Sequence, residues 1–138
     1  MVTRHKNKTF ASLLALLTGG LGFHRFYLYG WKDTWGWLHV ASLPLSLLIM
    51  FSARDLPLIF SGMPFLVSVL AGFIETFVIG LSPDDKWDAL HNRDSGRVSD
   101  SGWPIPIVMV LTLAIGATAL IALLARTFDL LYTGGAYG

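Results

Sequence analysis

The sequence contains no cysteine, which excludes a disulfide framework, a thiolate metal site and a cysteine nucleophile. It is also poor in charge. Charged residues are 14% of the 138, where a soluble domain carries roughly 25%. Ten Lys and Arg against nine Asp and Glu leave +1, so a nucleic-acid partner has no electrostatic case. Glutamate occurs once, at Glu75. The sequence has no G-x-S-x-G, no phosphate-cradling glycine–lysine loop and no paired carboxylates in a pocket-like context. His5, His24, His39 and His91 show no H-x-x-x-H spacing. The expectation is a protein that is not an enzyme and holds neither cofactor nor metal. Asp84, Asp88 and His91 would share one helix face at i, i+4 and i+7, but a solvated face is the reading preferred over a cation site.

What the chain does have is apolar surface: 54% hydrophobic residues and a mean hydropathy of +0.59. The charges are segregated. Thr9 to Phe23 is a 15-residue stretch without one, and Ser101 to Ala125 is 25 residues without one. Thr34 to Ala53 is 20 residues with only His39 titratable. Leu56 to Gly80 is 25 residues with one acid, Glu75. A helix crossing the ~30 Å hydrocarbon layer needs about 20 apolar residues. The last three stretches suffice. The first covers only ~22 Å, so it either continues through His24-Arg25-Phe26-Tyr27-Leu28 with Arg25 snorkelling, or dips and returns. Lipid cannot satisfy backbone polar groups, and the runs lack strand alternation, so the segments must be helices.

The fold expected is an all-α integral membrane helical bundle of four hydrophobic helical segments plus a short amphipathic surface helix over Pro83–His91. In that helix Ser82 would be the N-cap, and Trp87 and Leu90 would share a face. Asn92-Arg93-Asp94-Ser95-Gly96 would end it as a mobile stretch, and the tail after Arg126 would fray. Pro44, Pro57 and Pro64 mark helix starts or kinks, and Pro104 and Pro106 lie in a first turn. Tyr27, Tyr29, Trp31, Trp35, Trp37 and Trp103 mark interfaces. The basic start Arg4-His5-Lys6-Asn7-Lys8 before Ala11–Leu17 reads as a retained anchor, because no A-x-A cleavage site follows.

Lysine and arginine counts bear on orientation. With four crossings they divide five against five. If the first segment dips and returns, Arg4, Lys6, Lys8, Arg25, Lys32, Lys86, Arg93 and Arg97 share one side, leaving Arg54 and Arg126 on the other. Charge favours the second arrangement, and the N-terminus is cytoplasmic in both.

The candidate polar centre is His24, Arg25 and Glu75. A carboxylate in hydrocarbon costs ~2.5–3.5 kcal/mol on insertion scales, so Glu75 should be neutral or paired; Arg25, His24 and His39 are the candidate partners. Pairing, snorkelling and a proton or cation relay are the three readings of it. Gly19, Gly20 and Gly22 let another backbone approach, and Ser68, Gly72, Thr76 and Gly80, four apart, form a small-residue packing stripe that Glu75 borders. Ala114, Thr118, Ala122 and Ala125 form a second stripe, suited to packing within the bundle or to a homo-oligomer, the former being the expectation.

Lys8, Ala11, Leu13-Leu14-Ala15 and then Gly19-Gly20-x-Gly22-x-His24-Arg25-Phe26-Tyr27 with a following glycine resemble the two-transmembrane (TM2) domain family, bacterial type. Glu75 in Ala71-Gly72-Phe73-Ile74-Glu75, and Asp84-Asp85-Lys86-Trp87-Asp88 through Asn92, resemble the close of that domain. The resemblance spans Lys6–Arg93. Tyr29 departs from it, standing where the family passes from leucine directly to glycine, and Trp35–Gly80 is long enough for two crossings. It implies a basic cytoplasmic N-terminus over 1–9, a TM2-like membrane domain over 10–93 and a polar linker over 94–102. An additional transmembrane helix over 103–126 and a flexible tail over 127–138 lie outside the domain. The implied role is a structural or interaction module in a bacterial cytoplasmic (inner) membrane, with the lipid bilayer, further copies or other membrane proteins as partners. The alternative is a small oligomeric transporter or channel component using Glu75 as a proton-linked or ion-coordinating group.

Overall fold

The structure is a computed structural model and describes residues 4–137; the first three positions and the last, parts of the expected N-terminus and tail, lie outside the described residues. Asn7 opens α1 (Lys8–Thr18) by accepting a 2.8 Å hydrogen bond from the Phe10 amide. A 3₁₀ turn, Gly19–Leu21, follows. Gly22, at φ 70°, reverses the chain. A side chain at Gly22 is also sterically barred, because its Cβ would lie 2.9 Å from the Gly36 carbonyl oxygen. The chain then runs back as α2 (Phe23–Tyr29).

The open end of this hairpin is tied shut. The Asn7 amide donates to the Tyr27 hydroxyl at 2.9 Å, and Lys6 Nζ donates to the Leu28 carbonyl. Lys8 Nζ donates to the Ser82 carbonyl at 2.7 Å and pairs with Asp84. The tip meets the middle of α5 (Met63–Leu81), where a Cβ on Gly19 would lie 2.7 Å from the Gly72 Cα. The hairpin therefore starts at the C-terminal end of α5, reaches its midpoint and returns. Eleven residues at ~1.5 Å each span about 16 Å, half a hydrocarbon layer.

Asp33 caps α3 (Thr34–Ser52) by accepting from the Gly36 amide at 2.6 Å. Pro44 lies inside α3, and Pro57 precedes the single-turn α4 (Leu58–Ser61). Pro64 sits in the first turn of α5, where a missing N–H costs little. The Leu56–Gly80 run is thus broken at Gly62 into a short helix and a long one. Helix α6 (Asp84–His91) follows, then α7 (Pro104–Thr133). Helices α3, α5 and α7 are long and apolar enough to cross a membrane, and no strand occurs among the described residues.

Burial is inverted relative to a water-soluble domain. His24, Thr76, Thr112, Ser12 and Ser61 are fully buried, while Ile74, Val78, Val110 and Ile121 are each at least 64% exposed. Small and polar side chains fill the interior and large apolar ones coat the outside, as expected where lipid is the solvent.

Several expectations are corrected. Ser82 is not the cap of α6; its hydroxyl donates to the Val78 carbonyl, closing α5, and Pro83 precedes α6. Trp87 and Leu90 do not share an environment. Trp87 is buried and donates to the Lys6 carbonyl at 3.0 Å, while Leu90 is exposed. The Asn92 stretch is pinned: the Asn92 side chain accepts from the Lys6 amide at 2.7 Å and donates to the Lys6 carbonyl at 3.0 Å. Helix α7 does not end at Arg126. It continues to Thr133 and stops at Gly134, φ 69°, because Arg126 pairs with Asp129 and the next turn keeps its periodic apolar residues. The stripe Ala114, Thr118, Ala122 and Ala125 is exposed rather than packed inside. The buried face of α7 is Ile105, Val108, Met109 and Thr112, and a residue two further on lies about 200° around the helix.

Candidate functional site: a buried polar centre

Three elements converge on Glu75, which lies on α5 between Gly72 and Ile79. Helix α2 brings His24 and Arg25, and α3 brings His39. One Glu75 oxygen, Oε2, lies 2.6 Å from His24 Nε2 and 3.2 Å from His39 Nε2. The other, Oε1, accepts from Arg25 Nη1 at 2.5 Å. Arg25 is also held from its far side, Nε donating to Asp33 Oδ2 at 2.7 Å and Nη2 to Oδ1 at 3.2 Å. The Tyr29 ring lies 5.1 Å from the guanidinium. The hydrogen bond from Arg25 holds the Asp33 carboxyl below the usual carboxylate range, against the opposing effect of burial.

The network continues behind His39. Its Nδ1 lies 2.7 Å from Ser68 Oγ, which donates to the Gly20 carbonyl at 2.8 Å. Thus the tip of the hairpin, α3 and α5 are joined through one histidine and one serine. Ser46 on α3 accepts from the Phe65 amide at 2.9 Å, satisfying a free donor at the start of α5.

Of the residues singled out from the sequence, His24, Arg25 and Glu75 meet directly. Gly19, Gly20, Gly22, Ser68, Gly72 and Thr76 surround them at helix contacts, with Gly20 against Val69 and Thr76 fully buried. Gly80 lies apart, under Met109 of α7. Asp33 and Ser68 are polar members of the centre that sequence reasoning missed as such. Asp33 carries the cap signal, an aspartate just before an apolar run. Nothing in the pattern around Ser68 separates a hydrogen-bonding serine from a merely small one.

A second polar cluster lies at the open end of the hairpin. Asp84 accepts from the Ser101 amide at 2.8 Å, and Asp88 from the Ser99 amide at 2.6 Å. Burial pushes both carboxyls up. Hydrogen bonds from Lys8 and Ser101 to Asp84, and from Ser99 and Asn92 to Asp88, outweigh it and hold both below the ordinary range. His91 packs against Trp87, ring centres 4.4 Å apart; burial first, then the nearby Lys6 charge, lower its basicity. Asp84, Asp88 and His91 are therefore occupied individually. Among the described residues no group of three such side chains is placed to hold a metal ion.

Residues 4–52 match the family model of the TM2 domain. No curated protein and no solved structure matches the chain. The match covers α1, α2 and α3, and hence His24, Arg25, Asp33 and His39. It stops short of the Lys6–Arg93 span of the resemblance, leaves Glu75 outside and carries no bacterial subtype. With three helices able to span a bilayer, the chain is an integral membrane protein.

Proposed function

We propose that the protein is a non-enzymatic membrane module in which a re-entrant hairpin, α1–α2, is locked into a three-helix frame by its polar centre. The observation that carries this reading is the saturation of Glu75. Both oxygens are engaged, one by Arg25 and one by two histidines, and Arg25 is itself clamped by Asp33. A carboxylate so paired serves to hold helices together. A transport carboxylate must be free to exchange partners, which favours the structural role over the transporter reading.

The same geometry supports an orientation. With Lys6 at Leu28 and Lys8 at Ser82, both hairpin ends lie beside the C-terminal end of α5. Eight of the ten Lys and Arg then fall on that side, which supports a cytoplasmic side there and a C-terminus across the membrane. Lipid is the partner this reading requires.

The test is reconstitution of the purified protein in liposomes containing a pH-sensitive dye. The expected result is proton and cation flux no greater than in protein-free vesicles. A flux abolished by Glu75→Gln would establish the transporter instead.

A further inference from the structure

We infer that the protein carries a resident phospholipid, with one acyl chain in a groove between α3, α4, α5 and α7 and its phosphodiester held by Arg126. The inference rests on the membrane location alone, so a flux that depends on Glu75 would leave it standing.

The buried face of α7 ends at Thr112. Farther along the helix a groove of about 670 Å³ opens. Leu47 and Met50 of α3, Leu58 of α4, Phe65 of α5 and Leu123 of α7 line it. On α7, Ala119 and Ala122 leave it open where longer side chains would close it. The volume falls within the ~300–1,000 Å³ of small-molecule sites. Ser46 and Arg126 are its only polar side chains among the described residues, and the Ser46 oxygen already accepts from the Phe65 amide.

The depth matches one leaflet. From Ala119 to Leu130 the groove follows α7 for about 16 Å, half the ~30 Å hydrocarbon layer. Met109 packs on Gly80, near the open end of the hairpin. Arg126 stands about 26 Å farther along the helix, at ~1.5 Å per residue. It therefore reaches the opposite headgroup level, and the groove runs from it toward the midplane. An apolar groove at that depth is filled. Its walls would forfeit dispersion contacts to a void, and a water molecule would find too few polar partners. The adjoining solvent that fits is an acyl chain.

Arg126 supplies the anchor. Its Nη1 donates to Asp129 Oδ2 at 2.5 Å, which fixes the side chain. Asp129 Oδ1 accepts from the Thr133 hydroxyl and from the Tyr137 amide, so both carboxylate oxygens are engaged within the helix end. Among the described residues, Nε and Nη2 of Arg126 meet no acceptor. These two donors form one edge of the guanidinium, spaced to hold two oxygens of a phosphodiester. Arg126 is the one charged side chain lining the groove. The groove is thus apolar along its length and cationic at its mouth, the complement of a hydrocarbon chain ending in an anionic phosphate.

The experiment is native mass spectrometry of the delipidated full chain in detergent, titrated with dioleoylphosphatidylglycerol. Dioleoylglycerol, with the same chains and no phosphate, and glycerol phosphate, with no chains, are the comparison ligands. The expected result is one phospholipid retained per chain, with either comparison ligand held about tenfold more weakly or worse. Ala122→Phe fills the groove and Arg126→Gln removes the fork; each should weaken phospholipid retention about tenfold. Ala114→Phe, exposed on the same helix but outside the groove, should leave it unchanged. If Ala122→Phe does not fold, Ala122→Leu and Arg126→Lys replace it, the first narrowing the groove and the second keeping the charge without the fork. Each should weaken retention about threefold. Retention equal in the groove variants and wild type would overturn the inference, as would equal retention of dioleoylglycerol. A lipid-free dimer broken by Ala122→Phe would also overturn it, by placing a second copy in the groove.

Discussion

Gly19 and Gly72 touch backbone to backbone: a Cβ on Gly72 would lie 2.6 Å from the Gly19 Cα. The contact sets how deep the hairpin sits, because neither helix can approach closer and any side chain forces them apart. Gly72→Ala should destabilise the fold by about 1–3 kcal/mol, the usual cost of overpacking. Gly102→Ala is the control, since its Cβ meets nothing within 4 Å. It should stay within about 0.5 kcal/mol of wild type. Denaturant unfolding in detergent measures both.

Removing Arg25 leaves Asp33 and Glu75 without their shared cation. Arg25→Ala should cost about 3–5 kcal/mol, the cost of breaking a buried pair. Arg25→Lys should recover only part of it, because a single ammonium cannot reproduce the fork that bonds Asp33 through two nitrogens and Glu75 through a third. Adding Glu75→Gln and Asp33→Asn to Arg25→Ala should restore stability toward wild type. If the triple variant is no more stable than the single one, the loss is one of packing rather than of charge.

The strap formed by the polar link and the N-terminal segment is held by carboxylates and responds to pH. Asp84 and Asp88 have lowered native pKa values, so their hydrogen bonds contribute stability above the unfolded carboxylate range. That contribution is lost as pH falls through the range. Amide exchange of Ser99 and Ser101, corrected for intrinsic rate, should show protection at pH 7 that declines toward pH 3. Protection independent of pH would mean that the carboxylates do not hold these amides.

Much of this architecture is legible in the residues themselves. The long apolar runs give α3, α5 and α7, and the glycines before His24 mark a turn. The cost of a lone glutamate in lipid points to Arg25 and His24, because a buried charge demands a partner. Other features follow from tertiary packing and leave no local pattern. Trp87 and Leu90 differ because the N-terminal segment folds over one and not the other. Asn92 reads as a turn residue, yet its amide pairs with the Lys6 backbone 86 residues away. The face of α7 that packs is decided by Gly80 and Phe73 opposite it, not by its own small-residue spacing.

The hairpin's return is the claim on which the rest depends, and the absence of cysteine makes it directly measurable. Single cysteines at Arg4, Lys32, Arg54 and Arg93 can be probed with a membrane-impermeant maleimide in oriented vesicles. The structure predicts that Arg4→Cys, Lys32→Cys and Arg93→Cys are labelled from one side and Arg54→Cys from the other. Labelling of Lys32→Cys from the side opposite Arg4→Cys would show that the first segment crosses the membrane, and would contradict the account.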